Sequence, residues 1–156
     1  MGGQTVSVDP FLESLGTLQR VRIVTAAVAY DDPTTYQTYI LFFHQSLYIP
    51  SLQRHLLCPN KMRTNGVTIN DTALIHLPRN KRNKCSHSII AEAEETFAEV
   101  HIPMELDGQT TSYFITRKPT QQEIDNADHS CIHVHMTPTS RWEPSNQTVG
   151  DNEATL

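Results

Sequence analysis

Histidine and cysteine side chains alternate along one stretch near the C-terminal end of the sequence, and they are the residues best suited to metal chemistry. Side chains two positions apart share one face of an extended strand. Zinc binds thiolate and imidazole groups in a tetrahedral arrangement. The candidate zinc ligands are Cys131, His133 and His135, with Cys85 and His87 as a second, shorter set.

The spacing of these candidates does not favour a zinc site. Ligands two apart on one strand are separated by about 7 Å, so only neighbouring pairs can reach one ion and a second segment must supply the rest. The sequence lacks the close cysteine pairs of zinc ribbons and the spacing of the integrase His-His-Cys-Cys site. The simpler interpretation is an exposed polar strand face, and we predict no bound metal and no cofactor.

Other side chains that could act in catalysis have simpler structural interpretations. Cys58 lies beside paired leucines at the start of a helix, so a small buried residue is predicted rather than a nucleophile. Asp31 and Asp32 precede a proline and are predicted to form a turn. His44 and His55 are predicted to be surface or otherwise satisfied histidines. We therefore predict no catalytic residue.

The stretch Leu41 to Asn70 has the clearest sequence of structural signals. An apolar and aromatic run predicts a strand that ends at Pro50, because proline cannot donate a hydrogen bond to a sheet. Pro59 suits the first turn of a short helix, and Gly66 suits the position just after a helix ends. A new strand is predicted from Val67.

Two β-hairpins are predicted elsewhere in the chain. In the first, Val21 to Tyr30 and Tyr36 to Phe43 are antiparallel strands joined by a proline-containing turn. In the second, Val100 to Leu106 and Thr111 to Arg117 flank an Asp-Gly pair, which favours a type I′ turn.

Shorter signals complete the prediction. A capping box at Thr120 predicts a helix over Gln121 to Ala127. Strands are predicted at Ala73 to Leu77, Ser86 to Ala91 and Ser130 to Met136. The acidic segment around Phe97 is predicted to be a solvated helical turn or a loop.

One set of these residues resembles the end of the aspartic protease region in copia-type retrotransposon polyproteins. In that family a strand ending in Tyr-Ile-Pro or Tyr-Val-Pro leads to Asn-Leu-Leu, a short helix and a glycine. The matching residues are Tyr48, Ile49, Pro50, Leu56, Leu57 and Gly66. This sequence departs from the family pattern at His55, where the family commonly has Asn, and at Cys58, where it often has Ser.

The predicted elements give a mainly β fold with two hairpins, one or two short helices and a flexible C-terminal tail, and the resemblance implies that the strands form a truncated retropepsin-like barrel. We expect a loose N-terminal lead over residues 1–20 and a single domain over 21–137. Within that domain, 21–78 is the protease-like half, and 86–137 holds the second hairpin, the short helix and the last strand. Residues 138–156 are expected to be a disordered tail.

The catalytic turn of an aspartic protease is missing from this sequence. Such enzymes carry Asp-Thr-Gly or Asp-Ser-Gly, so that two carboxylates share one proton. None of the 6 glycines lies two positions after an aspartate. We expect a non-catalytic polyprotein fragment and no enzyme activity for the isolated chain. The alternatives are an active protease completed by upstream sequence or a partner chain, and a small zinc-binding or protein-interaction module.

The composition of the chain limits the cellular compartment and the kinds of binding partner that we expect. The chain has 156 residues and a net charge of -5, which argues against the basic face of a nucleic-acid-binding protein. The 3 cysteines form no recognisable disulfide framework, and neither a signal peptide nor a membrane span is evident. We expect a cytoplasmic or nuclear protein whose partners are a second copy or neighbouring polyprotein segments.

Overall fold

The computed structural model describes residues 5–8, 18–108 and 110–139, and in these ranges it contains nine β-strands and two α-helices. The strands are β1 (Thr5–Val8), β2 (Leu18–Asp31), β3 (Thr38–Tyr48), β4 (Thr68–Asn70), β5 (Ser88–Glu92), β6 (Glu99–Pro103), β7 (Glu105–Asp107), β8 (Thr111–Tyr113) and β9 (Cys131–His135). The helices are α1 (Pro59–Thr64) and α2 (Gln121–Asp125). The predicted mainly β fold with two short helices is therefore confirmed.

The strands form three sheets. One has the order β1-β2-β3-β9, the second β4-β5-β6 and the third β7-β8. All strand pairs are antiparallel except β3 and β9, which run parallel. Within the described ranges the strands do not close into a barrel, so the architecture is an open one.

The first predicted hairpin is confirmed and forms the centre of the largest sheet. Tyr30 pairs with Tyr39, and the pairing continues away from the turn along β2 and β3. In the turn, the Asp32 carboxylate accepts hydrogen bonds from the backbone N–H groups of Thr34 (2.8 Å) and Thr35 (3.2 Å). An aspartate therefore stabilises the turn through its own side chain, as the sequence predicts.

A β-bulge interrupts this hairpin. Val24 pairs with Ser46 but Ala26 pairs with Phe43, so two residues of β3 lie opposite one residue of β2. The second of the two, Gln45, has a left-handed φ of 56°. The bulge changes the direction of the strand locally and leaves an extra residue outside the regular ladder.

The unit that follows β3 also agrees with its prediction. Pro59 occupies the first turn of α1, where its missing N–H is not needed. Gly66 lies just beyond the helix with φ +80°, a conformation that glycine adopts without strain. Met62 on α1 is buried in the main core, which ties this short helix to the sheets.

The main core lies between the four-stranded and the three-stranded sheet. Alternate residues of β3 point into it, as the period-two geometry of a strand requires. The buried members of this core are Tyr30, Tyr39, Leu41, Phe43, Met62, Val67, Ile69, Ile89, Ala91, Ala93, Val100, Ile102, Val134 and Met136. On the opposite face of the sheet, Ile40 and Ala29 form a smaller cluster with Cys131.

One prediction about the middle of the chain is wrong, and another holds only in part. Ala73 to Leu77 is not a strand, because Leu74–His76 forms a 3-10 turn that exposes Leu74 and Ile75. In the second hairpin, Val100 belongs to β6, which pairs with β5 instead of with the segment after the Asp-Gly pair. The predicted hairpin is therefore limited to the residues nearest its turn, because the earlier part of the predicted strand pairs with β5 in the core.

The hairpin at the Asp-Gly pair is consequently short. It consists of β7 and β8, and Asp107 pairs with Thr111, so three residues connect the strands where a type I′ turn has two. The segment around Phe97 is a loop, and α2 ends at Asp125, earlier than predicted.

The expectations for the two ends of the chain are tested only in part. Residues 5–8 form β1, which pairs with β2, and β2 already begins at Leu18, so the expected loose lead does not hold for these residues. The sequence does not reveal this strand, because backbone hydrogen bonds to β2 hold it and four residues are too few to show a periodic side-chain pattern. The rest of the lead and nearly all of the expected tail, 140–156, lie outside the described residues.

Candidate functional site on the four-stranded sheet

The candidate zinc ligands separate into two regions. Cys131, His133 and His135 lie on β9, whereas Cys85 and His87 immediately precede β5 in the second sheet. In the part of the chain that the structure describes, no group of three or more histidine, cysteine, aspartate or glutamate side chains is placed to hold a metal ion. The described residues therefore offer no complete ligand set.

Cys131 is a buried core residue. Its side chain packs with Ala29 and Ile40, and its thiol lies 3.7 Å from the carbonyl oxygen of Glu123, to which it donates. Burial raises the pKa of the thiol, so the thiolate that a metal needs is disfavoured. The expectation of an exposed polar face along β9 is wrong at this position, because Ala29, Ile40 and the backbone of Glu123 lie against the Cys131 side chain.

The second set of candidates contacts the β7-β8 hairpin. His87 is buried, and its Nε2 atom lies 2.7 Å from the Ser112 hydroxyl oxygen on β8. The backbone carbonyl of Cys85 accepts hydrogen bonds from Asn70 and Ser88. These contacts join three strands of the smaller sheets and give both residues a structural role.

An unusual polar contact joins two histidines on the outer face of the largest sheet. His44 Nε2 lies 2.7 Å from His135 Nδ1. The two ring planes differ by 15° and their centroids are 5.0 Å apart. Because the nitrogen atoms are much closer than the centroids, the rings meet edge to edge in nearly one plane. This is the geometry of an imidazole–imidazole hydrogen bond.

The Phe42 ring brings the histidines of two strands together. The ring centroids of His133 and His135 on β9 lie 5.0 Å and 5.2 Å from it, and that of His44 on β3 lies 6.4 Å from it. His133 Nε2 in turn lies 2.7 Å from the Glu123 carbonyl oxygen, to which it donates. We call Phe42, His44, His133 and His135 the histidine face.

The β-bulge and three neighbouring segments position His44. Its backbone N–H donates to the hydroxyl of Thr137 at 2.7 Å, and its carbonyl accepts from Lys61 Nζ at 2.9 Å. Its Nδ1 atom lies 3.2 Å from the Thr25 hydroxyl. Asn65 donates to the carbonyl of His135 at 2.8 Å. Each partner of the histidine pair is therefore held by its backbone as well as by its ring.

The environment of His44 favours its neutral form. Burial is the largest cause that lowers its pKa, and the neighbouring His135 and Lys61 lower it further. Burial also lowers the pKa of Lys61. A neutral imidazole has one N–H donor and one free nitrogen acceptor, so the pair can share a single proton along the bond.

A second polar cluster lies at the turn end of the hairpin. Arg117 Nε donates to Asp31 at 2.6 Å, and its Nη2 donates to Glu123 at 2.7 Å. The hydrogen bond from Arg117, followed by the backbone hydrogen bond from Thr120, lowers the pKa of Glu123 to about 2. We call Asp31, Arg117 and Glu123 the ion cluster.

The loop that carries the Tyr-Ile-Pro resemblance exposes several large apolar side chains. Tyr48 and Leu56 are 51% and 77% exposed, and Pro50 is also exposed. Leu57, in contrast, packs against the core. Cys58 is exposed at the start of α1, so its predicted burial is wrong. The contact of the helix with the core is made by Met62 instead.

Sequence reasoning missed the part that His44 plays. The residue was predicted to be a surface or satisfied histidine, and its ring is indeed satisfied, but its partner lies 91 residues further along the chain. Only the parallel pairing of β3 with β9 brings the two together. The histidines themselves, one on β3 and two on β9, are the one signal in the sequence.

Comparison of the chain with protein-family models, with curated proteins and with solved structures finds no match in any of the three. Neither of the helices in the described ranges has the length and apolar character that crossing a membrane requires.

Proposed function

We propose that this chain is a non-catalytic segment of a copia-type retrotransposon polyprotein, related to the last part of its aspartic protease region, that binds other protein segments. Two features of the sequence support this proposal. The order of residues from Tyr48 through Pro50 and Leu56 to Gly66 resembles that region, and the Asp-Thr-Gly or Asp-Ser-Gly turn is absent. Without that carboxylate the isolated chain is not an aspartic protease.

The exposure of apolar side chains around the Tyr-Ile-Pro sequence is the observation that carries the binding function. Tyr48, Leu52 and Leu56 are all exposed, although they connect a core strand to a core helix. Large apolar and aromatic side chains lose unfavourable contact with water when a partner covers them. The expected partners are a second copy of the chain or neighbouring segments of the polyprotein.

Sedimentation velocity over a range of concentrations tests this function with a matched pair of variants. Leu56→Ser removes an apolar side chain from the loop, whereas Ile115→Ser removes one of equal exposure, 77%, from the segment after β8. Losing a leucine contact of about 2 kcal/mol weakens association roughly thirtyfold. We expect this weakening for Leu56→Ser only, either in self-association or in titration with the adjoining polyprotein segments. Equal affinities of the two variants, or no binding at all, would contradict the proposal.

The alternative of a completed protease is tested by mixing the chain with a polyprotein segment that carries an Asp-Thr-Gly turn. Cleavage of a polyprotein peptide that pepstatin inhibits would reassign the chain to an active enzyme. We expect no such cleavage from the chain alone.

A further inference from the structure

We propose that the hydrogen bond between His44 and His135 is an acid-sensitive latch that holds the C-terminal end of β9 against the bulge of β3. The bond connects residues 91 positions apart. It lies where the parallel β3–β9 ladder ends, since the last paired residues are Phe42 and His135. A contact at the end of a ladder governs whether the terminal residues stay paired or open locally.

The proton content of the pair makes this contact sensitive to acid. An imidazole–imidazole hydrogen bond needs one nitrogen that carries a proton and one that does not. It survives when both rings are neutral, and it also survives when the pair holds a single positive charge. When both rings are protonated, the acceptor is lost and two like charges face each other, so the bond must break.

The groups around His44 add to this effect. Lys61 approaches from α1 and His135 from β9, and both disfavour a charged His44. His133 lies against the same Phe42 ring from β9. The His44 ring also contacts two uncharged groups, the hydroxyl of Thr25 on β2 and the ring of Phe42. The named neighbours that can carry charge are therefore all basic.

The direction of the pH effect follows from the lowered pKa of His44. In the unfolded chain a histidine titrates near pH 6.5, whereas in the folded chain His44 resists protonation to lower pH. The folded state therefore binds fewer protons than the unfolded state just below pH 6.5. The stabilisation is fully present above about pH 6.5 and is lost as the pH falls toward the lower folded value.

Opening the latch has a specific structural consequence. Immediately after His135, the fully buried Met136 donates its N–H to the carbonyl of Phe42 at 2.8 Å, and the hydroxyl of Thr137 contacts the backbone of His44. Release of His135 removes the side-chain contact that supports these bonds. The end of β9 and its buried methionine are the parts expected to become accessible in acid.

Urea unfolding of the full chain between pH 7.5 and 5.0 tests the latch. We compare the chain with His135→Gln, which keeps a polar amide but does not titrate, and with His129→Gln, which alters an exposed histidine just before β9. For the unaltered chain and for His129→Gln, we expect the urea concentration at the unfolding midpoint to decrease as the pH is lowered below 6.5. In His135→Gln the fall should be clearly smaller, because the repulsion between the two rings is removed and only burial and Lys61 still lower the pKa of His44. The same fall in all three proteins would overturn the proposal.

A second measurement needs no variant to fold. The imidazole Cε1–H resonances are followed by NMR as the pH is lowered, in the folded chain and in the chain unfolded by urea. We expect His44 to titrate at lower pH in the folded chain, with the amide signals of Met136 and Thr137 changing at the same midpoint. A His44 midpoint equal to that of the unfolded chain, or unaltered Met136 and Thr137 signals, would overturn the latch.

Discussion

At the turn end of the β2–β3 hairpin three charged side chains meet near the protein surface, whereas at the bulge end two histidines meet edge to edge beside an aromatic ring. Both clusters fasten a distant segment to the same hairpin. Arg117 of the ion cluster pairs its backbone with Ala29 at 2.9 Å, and His135 of the histidine face ends the pairing of β9 with β3. Each cluster therefore holds a distant segment against the hairpin, one through ion pairs and the other through a hydrogen bond between imidazoles.

The surroundings explain why the chemistry differs. The side chains of Arg117 and Asp31 are 41% and 48% exposed, so water and salt screen their charges and their ionised forms cost little. His44 is half-buried beside a cation, so its charged form is disfavoured. The exposed ion cluster can hold full charges, whereas the half-buried histidine pair consists of neutral groups that share a proton. The ion cluster and the histidine pair therefore respond to different ranges of pH.

The largest expected effect comes from a change midway between the two clusters. Leu41 on β3 is fully buried in the main core, and Leu41→Ala leaves a cavity beside the strand that both clusters need. We expect a loss of about 2–5 kcal/mol in the free energy of unfolding, measured by urea denaturation. Leu47→Ala changes a more exposed residue of the same strand and should cost clearly less. Equal losses would mean that β3 does not link the two ends through the core.

A smaller effect is expected from a change at the bulge end alone. Thr137→Val keeps the shape of a buried side chain but removes the hydroxyl that accepts from the His44 N–H at 2.7 Å. Leaving that N–H without its partner should cost about 1–3 kcal/mol in the free energy of unfolding. Thr111→Val, at an exposed position on β8, is the control and should cost less than about 0.5 kcal/mol. A cost for Thr137→Val no larger than that of the control would show that the bulge is held without the hydroxyl.

The smallest effect is expected at the turn end. Glu123→Gln removes one charge from the ion cluster but keeps an oxygen that can accept hydrogen bonds, and ion pairs near the surface contribute about 0.2–1 kcal/mol. The pKa of Glu123 is lowered from 4.5 to about 2, so its contribution is present above about pH 4.5 and is lost as the pH falls toward 2. Thermal unfolding of Glu123→Gln should therefore lose pH dependence only below about pH 4.5.

A matched control and the histidine variant sharpen this contrast. Glu95→Gln alters an exposed glutamate in the loop between β5 and β6 and should leave the acid dependence unchanged. His135→Gln should change the response between about pH 5 and 6.5 and leave the lower range intact. If Glu123→Gln altered the same pH range as His135→Gln, the two clusters would not be chemically distinct.

Much of the local structure could be predicted from short stretches of sequence. The turn at Asp32, the beginning of α1 at Pro59, its end at Gly66 and the capping box at Thr120 all agree with the structure. Each depends on a side chain that bonds its own backbone or on the conformational limits of proline and glycine. These preferences act over a few residues, so they survive in any surrounding fold.

The pairing of strands could not be predicted in the same way. The strand that begins at Val100 was expected to pair with the segment after the Asp-Gly turn. It pairs with β5 instead, and Ile89 and Ile102 lie side by side there in the core. Leu74 and Ile75 have the composition of a strand and yet form an exposed turn, because no neighbouring strand pairs with them in the described ranges. Apolar character alone does not determine which partner a segment meets.

The same distinction between local signals and strand pairing applies to the candidate site. The sequence by itself determined that histidines alternate along β9, that a hairpin precedes them and that an aspartic protease turn is absent. Only the tertiary structure decided that Cys131 is buried and that His135 meets His44. A parallel pairing across some ninety residues depends on burying a whole core at once, and no local preference records it.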